Sequence, residues 1–539
     1  MSTVNFGSTG NSNLNPRRTP SVSAVARMIL YAAIVTSVSL QVIIDTSLEN
    51  VGCTFIVGIV TAVTMSYALR TSLLRVFPLS GIMLIGFNAV SMSAALLAQS
   101  FNLQPLTANL QSPFSTFLTL GLAQIVVIST HILYRSSKTA SQLLGSLQKI
   151  YSFIGVFNQT SNLQLWILGG IGFAATIVTS VIFKSNIEFG NFELKLVDAL
   201  GVFAPAPVLI GMLHWFQPGR ARPSAAEKLC LVLYIVGLLI VGLARNSRGQ
   251  FAVPIAILAL AWVMAVLSGR LRVNRNQLAR IPVMAACGIL CFSVLSDLST
   301  AMLIIRPYRD YLSGTELITR TIGLMTNREA ISDERRAISA DLNGNTDYSE
   351  TYVDITFFER FIITKFHDNM ITLVSPFNSD QQNFLYADAV NSAVAIFPTP
   401  LIKIFAPEFN KDEASHSAGD MIFYLAGRGD ELGGRKTGSS LAEGWALFGI
   451  WYYALLAMQF MLFCLVFDAM VLRKRGGWWT PLALLQLWFL FHQSVFSDSL
   501  TSGLSALLRD LPQVIVLYCA INFLTSKFNI SRMKMSVEA

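Results

Sequence analysis

Apolar residues in this chain come in runs of about twenty, separated by short polar breaks, and each run is long enough to cross about 30 Å of hydrocarbon as a helix. The pattern predicts about twelve spans, at 24–44, 51–69, 76–98, 115–134, 164–184, 195–214, 227–244, 250–268, 281–305, 443–469, 480–497 and 508–525. One long polar interval interrupts them. Residues 306–442 carry helical periodicity in "TELITRTIGLMTNREAISDERRAIS" (315–339) and "DITFFERFIITKFHDNMITLV" (354–374), a turn-rich break at "DLNGNTD" (341–347), and a further apolar stretch broken by "FPTP" (397–400). A mostly helical cap over the ends of the spans is expected. The segment 136–163 reads as an interfacial amphipathic helix.

The fold class expected is an all-α polytopic membrane protein with one large extramembrane loop domain. Its divisions are a tail at 1–23, a membrane part at 24–305, the loop domain at 306–442, a second membrane part at 443–525 and a tail at 526–539. Lysine and arginine set the orientation. Arg17, Arg18, Arg70, Arg75, Arg135, Lys138, Lys149, "GRARPSAAEK" (219–228), "GRLRVNRNQLAR" (269–280), "RKR" (473–475), Lys527, Arg532 and Lys534 all fall on one side of the predicted spans. That side is expected to be the cytoplasm, with both termini inside and 306–442 outside.

Composition narrows the class further. The chain is 53% hydrophobic and only 13% charged, about half the charge of a soluble protein. The net charge of +8 is scattered through loops with no aromatic-interleaved patch, so no nucleic-acid partner is expected. All six cysteines lie in predicted spans, which reads as packing rather than a disulfide framework. No nucleotide-binding, zinc or serine-elbow motif occurs, and no metal or cofactor is expected. The first apolar run lacks a small-residue cleavage site and reads as a retained span.

The candidate chemistry gathers at the outer ends of the spans. "GLARNSRGQFAVP" (242–254) places Arg245 and Arg248 in one tight outer turn, against the topological bias. Arg306 and Arg309 follow the ninth span, Arg428 and Arg435 precede the tenth, and Arg509 lies in the last outer turn. The planar guanidinium matches phosphate oxygens bidentately. Several arginines at a water–lipid boundary suit a ligand with a diphosphate head and a lipid tail. The alternative is pairing with Asp310, Asp430, Glu431 or Asp510. Glu443 suits the first turn of a helix N-capped from "GSS" (438–440), and equally suits accepting a proton from a sugar hydroxyl. Of five histidines, His416 ranks highest, for being exposed in a polar stretch.

"RNSRGQFAVPIAILAL" (245–260) followed by "TGSSLAEGWALFG" (437–449) resembles the bacterial Wzy-type family of O-antigen and exopolysaccharide repeat-unit polymerases. Ser247, Arg248, Gly249, Ser440, Leu441, Glu443, Phe448 and Gly449 occupy the positions of that family's short motifs, and the layout covers nearly the whole chain. The resemblance implies a GT-C-like, metal-independent glycosyltransferase of the bacterial inner membrane. It would move a glycan from undecaprenyl diphosphate onto a lipid-linked acceptor repeat at the periplasmic face, in a pathway where a chain-length regulator is a usual partner. Arg245, Arg248, Arg306, Arg428 and Arg435 would bind the diphosphate, with Glu443 and His416 as catalytic groups.

Three rivals share parts of this pattern. An O-antigen ligase resembles the layout but usually has a histidine where Thr437 stands. A metal-dependent transferase would use an early outer acid such as Asp45 or Glu49. A lipid-linked oligosaccharide flippase or transporter would use a mid-membrane acid, for which Asp297 is the candidate.

Overall fold

The computed structural model describes residues 22–179, 192–271, 281–309, 311–343, 349–353, 361–414, 416–429, 432–434, 436–472, 477–492 and 498–537. The chain is helical throughout this set, except for a two-stranded antiparallel ribbon that pairs Val471 with Trp479. Among the described residues seven helices are long and apolar enough to cross a membrane, and three shorter apolar ones accompany them. This is an all-α, membrane-embedded protein.

The first half runs α1 (Val22–Ile44), α2 (Leu48–Ala68), α3 (Pro78–Asn88, prolonged by a π-helical turn at Ala89–Ser93 and by Ala94–Phe101), α4 (Pro113–Ser136), α5 (Lys138–Phe153), α6 (Asn162–Ile177) and α7 (Phe192–Leu200). α8 (Ala225–Ala244), α9 (Gly249–Leu267) and α10 (Ile281–Ile305) follow. The long polar interval folds as α11 (Gly314–Thr326), α12 (Arg328–Asn343), α13 (Thr364–Val374), α14 (Ser379–Ala395) and α15 (Ala418–Leu425). The last spans are α16 (Ser440–Phe448) with α17 (Tyr452–Asp468), α18 (Leu487–His492), and α19 (Leu500–Ser505) leading into α20 (Leu511–Val537).

Three expected spans are not continuous helices; one, 443–469, breaks at Gly449 (φ +52°) between α16 and α17. The 195–214 run breaks after α7 into 3-10 turns at Gly201–Phe203 and Ala206–Gly211, because Pro205 and Pro207 remove backbone donors. The broken stretch is tolerated because it is buried in protein. Gly169 and Gly172 of α6 let it approach, and the Tyr234 hydroxyl reaches the carbonyls of Gly169 and Ala204 at 2.9 and 2.7 Å. A Cβ on Gly172 would collide with the backbone of Phe203 and Ala204. Gly172→Ala is therefore expected to destabilise by about 1–3 kcal/mol, read as a lowered unfolding temperature of the full chain in lipid nanodiscs. The 480–497 run is likewise split, into Pro481–Leu485 and α18, with 493–497 outside the described residues.

The helices of 306–442 pack on one end of the bundle. Gly314 abuts Ala244 at the end of α8, and Asp368 of α13 binds the start of α4. Basic loops meet at the opposite end, where Arg75 donates to Ser268 O at 2.7 Å and Arg270 donates to Gly477 O at 2.5 Å. The segment expected to be interfacial is α5. It buries Ala140, Leu144 and Tyr151, leaves Phe153 exposed, and donates from Gln148 to Val471 O at 2.8 Å.

Candidate functional site

The turn between α8 and α9 is a helix stop built on asparagine. Ser247 N–H donates to Gly242 O at 2.8 Å and Asn246 N–H to Leu243 O at 3.0 Å, the paired bonds of a Schellman end. Asn246 takes the left-handed conformation at φ +50°, which asparagine tolerates better than most residues. Arg245 is the C-cap of α8 and Arg248 caps α9; both are half-buried. Arg306, exposed, starts the 3-10 turn after α10. Leu243, Leu298 and Met302 pack together with Ile318 and Met325 of α11, so the ends of α8 and α10 and the start of α9 form one corner beneath α11. Arg245 and Arg306 stand at helix C-termini, where a cation is favoured. Arg248 stands at an N-terminus, where an anion is favoured instead. The Asn246 Nδ2 donor is buried there without a partner among the described residues.

From this corner an apolar groove of about 260 Å³ runs along α9. Ala252, Ile255, Ala256, Ala259 and Leu260 supply one helix face, and Leu295, Phe361, Trp488 and Phe491 supply the walls. Ala252 lies one turn below Arg248. The aromatic wall is ordered: His492 stacks on Trp488 at 4.6 Å, and Phe361 meets Trp488 edge-on at 5.6 Å. Gly86 of α3 admits the Phe491 backbone, which any side chain there would strike.

A second polar group lies where α13, α14, α16 and α19 meet. Ser439 caps α16, accepting from Ala442 N–H at 3.2 Å, and Glu443 is buried in the first turn. Its Oε2 accepts Leu500 N–H at 2.8 Å, so this carboxylate stabilises the start of α19. His416 Nε2 lies 2.7 Å from Asp388 Oδ1, and both side chains are about nine-tenths buried. Asp388 belongs to α14, which packs against α16 and α19. The structure thus gathers Glu443, Asp388 and His416 around one pair of helix starts. Arg428, exposed, follows Gly427 at the end of α15 in this group rather than in the Arg248 corner. Arg435 lies outside the described residues.

The groups missed at the sequence level are in "TKFHDN" (364–369). Asp368 is fully buried and accepts from Gln111 N–H, Ser112 N–H and Thr116 Oγ1 at 2.8, 2.9 and 3.1 Å, with Lys365 Nζ at 3.4 Å. His367 Nδ1 is 2.8 Å from Ser439 Oγ. The available signal was a dense polar turn flanked by apolar runs. Burial pushes the His367 imidazole from its usual 6.5 down to about 4. Below pH 6.5 the unfolded chain takes up a proton that the folded chain refuses, so stability falls as pH drops from 6.5 through 4. Unfolding temperatures of the wild type are expected to drop more steeply over that interval than those of His367→Asn.

Other candidates resolve differently. Arg509 is paired with Asp510 at 3.0 Å. Asp297, the acid a transporter would need, is held by Arg335 of α12 at 2.6 Å. Among the described residues no three His, Cys, Asp or Glu side chains converge as a metal-binding group.

No protein-family model, curated protein or solved structure matches this chain. The reading of the site therefore rests on its own chemistry.

Proposed function

We propose that this chain is a GT-C-like, Wzy-type repeat-unit polymerase of the bacterial cytoplasmic membrane. In this reading it crosses the bilayer twelve times, with 306–442 in the periplasm. It transfers a glycan from undecaprenyl diphosphate to the terminal sugar of a second lipid-linked repeat. The observation that carries the reading is the Arg245–Asn246–Arg248 turn at the head of the apolar groove. Two permanent cations, an unpartnered amide donor and a helix N-terminus suit a diphosphate, and the groove directly below suits its isoprenoid chain. The gathering of basic loops at the opposite end agrees with a cytoplasmic side there.

In the transfer step the acceptor hydroxyl attacks the anomeric carbon, the carbon–oxygen bond to the diphosphate breaks, and undecaprenyl diphosphate leaves with its charge neutralised by Arg248, Arg245 and Arg306. The hydroxyl proton passes to a base. His416 fits this role because Asp388 orients its ring, whereas Glu443 is already engaged with Leu500. The glycan itself reaches past Arg428 toward that group.

A deletion strain tests the reading. Its surface glycan on a gel is expected to lose the long ladder, while single repeats remain on the lipid A-core and on undecaprenyl diphosphate. Long polymer accumulating on undecaprenyl diphosphate would instead identify a ligase. An unchanged ladder would overturn both.

A further inference from the structure

Three buried polar atoms on the elements packed behind the groove wall have no hydrogen-bond partner among the described residues: Asn88 Oδ1, Ser91 Oγ and His367 Nε2. Asn88 precedes, and Ser91 lies within, the π-helical turn of α3; all three residues are fully buried. The two elements that carry them are bonded together, Ile363 N–H to Val90 O at 2.9 Å and Thr364 Oγ1 to Ser91 O at 2.8 Å. Val90, Ile363 and Phe366 pack against Phe491, a wall of the groove.

The tautomer of His367 follows from its other nitrogen. Ser439 Oγ already accepts Ala442 N–H, and its own proton has His367 Nδ1 as the acceptor within reach. With that proton donated to Nδ1, the ring carries its hydrogen on Nε2, the tautomer assigned from this bond. Nε2–H is then a buried donor with no acceptor among the described residues. Burial of such a group is costly, and folds rarely keep several together without a use for them. Insertions of π-helical turns often mark functional sites.

We infer that His367, Ser91 and Asn88 form a subsite for a hydroxylated, uncharged group, the acceptor sugar of the transfer. This rests on the polymerase reading above. The two ends of the system differ in chemistry. The Arg248 corner offers guanidinium charge and an amide donor unpartnered among the described residues, as a diphosphate requires. The His367 subsite offers one donor, one acceptor and one hydroxyl that does either, which matches vicinal sugar hydroxyls. The nearby cation does not alter this balance, because Lys365 is bound to Asp368.

The test uses the full chain in nanodiscs, with the lipid-linked repeat as donor. The acceptor is the delipidated repeat-unit oligosaccharide released by mild acid from the intermediates of the deletion strain. Asparagine at 367 keeps an acceptor for Ser439 but loses the donor at the Nε2 position; glutamine keeps that donor. His367→Asn is expected to raise the acceptor KM about tenfold, the loss of one net hydrogen bond, at an unfolding temperature near wild type. His367→Gln is expected to stay within about threefold. Ser91→Ala is expected to raise both the acceptor KM and the unfolding temperature, since it deletes an unsatisfied group. The subsite is overturned if His367→Asn elongates like wild type, or if Ser91→Ala lowers the unfolding temperature and leaves KM unchanged, the signature of a site filled by structural water. In both cases wild-type elongation leaves the polymerase reading standing. If the wild type itself elongates nothing, that reading fails and the subsite falls with it.

Discussion

Asp368→Ala is expected to destabilise the protein by about 3–5 kcal/mol, the range for breaking a buried, hydrogen-bonded ion pair from one side. The carboxylate is fully buried and makes two kinds of contact at once. It accepts the Gln111 and Ser112 amides and the Thr116 hydroxyl at the start of α4, where the helix has unpaired N–H groups and no cap from the Ser112 side chain. It also faces the Lys365 ammonium, 1% exposed, which donates to Asn109 O as well. Alanine leaves those donors and a buried cation uncompensated. Thermal unfolding in nanodiscs, or folded yield where the variant does not survive extraction, measures the loss. Adding Lys365→Met should recover part of it, because removing both charges is far less costly than leaving one. A single variant within 1 kcal/mol of wild type would mean that water reaches this junction, and that α13 is not what fixes the cap to the bundle.

Much of the architecture was readable because it is local. Hydropathy marks the long spans, and the apolar run ending at 244 with the next starting at 250 locates the arginine turn to within a residue of the observed helix start at Gly249. The break in 195–214 was also written in the chain, in Pro205 and Pro207, but a hydropathy window does not register a missing backbone donor. The charged chemistry was less legible because its partners are remote. Glu443 was placed correctly in a first turn, yet its engagement with Leu500 spans 57 positions. Asp297 reads as a lone mid-membrane acid until Arg335, 38 positions away, is seen beside it. His416 stood out as exposed in a polar stretch, but the structure buries about nine-tenths of its side chain against Asp388, a partner 28 positions away. His367 was passed over because nothing in "TKFHDN" announces that the turn is buried between α4 and Ser439. The arginines were identified as a set, but their division is tertiary: Arg245, Arg248 and Arg306 share one corner, and Arg428 belongs to another.

Arg248→Glu is expected to remove the long glycan ladder and lower elongation at least about 100-fold, the scale for losing a preorganised charge that stabilises a leaving group. Arg248 is the informative position of the three because its placement has no structural benefit from the helix it caps. A cation at the N-terminus of α9 opposes the helix dipole, whereas Arg245 and Arg306 are favoured by theirs. A reversed charge at 248 is favoured by that dipole and repels the diphosphate, and any folding cost from the contacts Arg248 makes is read in the unfolding temperature. Arg509→Glu supplies the control. That side chain is about half exposed and paired with Asp510, so it alters the overall charge equally but touches no groove, and its ladder should match wild type. Unfolding temperatures of both variants separate loss of the site from loss of the fold. If Arg248→Glu and Arg509→Glu shorten the ladder alike, the arginines act as a diffuse positive surface rather than a diphosphate site. If Arg248→Glu is folded and its ladder intact, the groove along α9 holds ordinary lipid and the transfer takes place elsewhere.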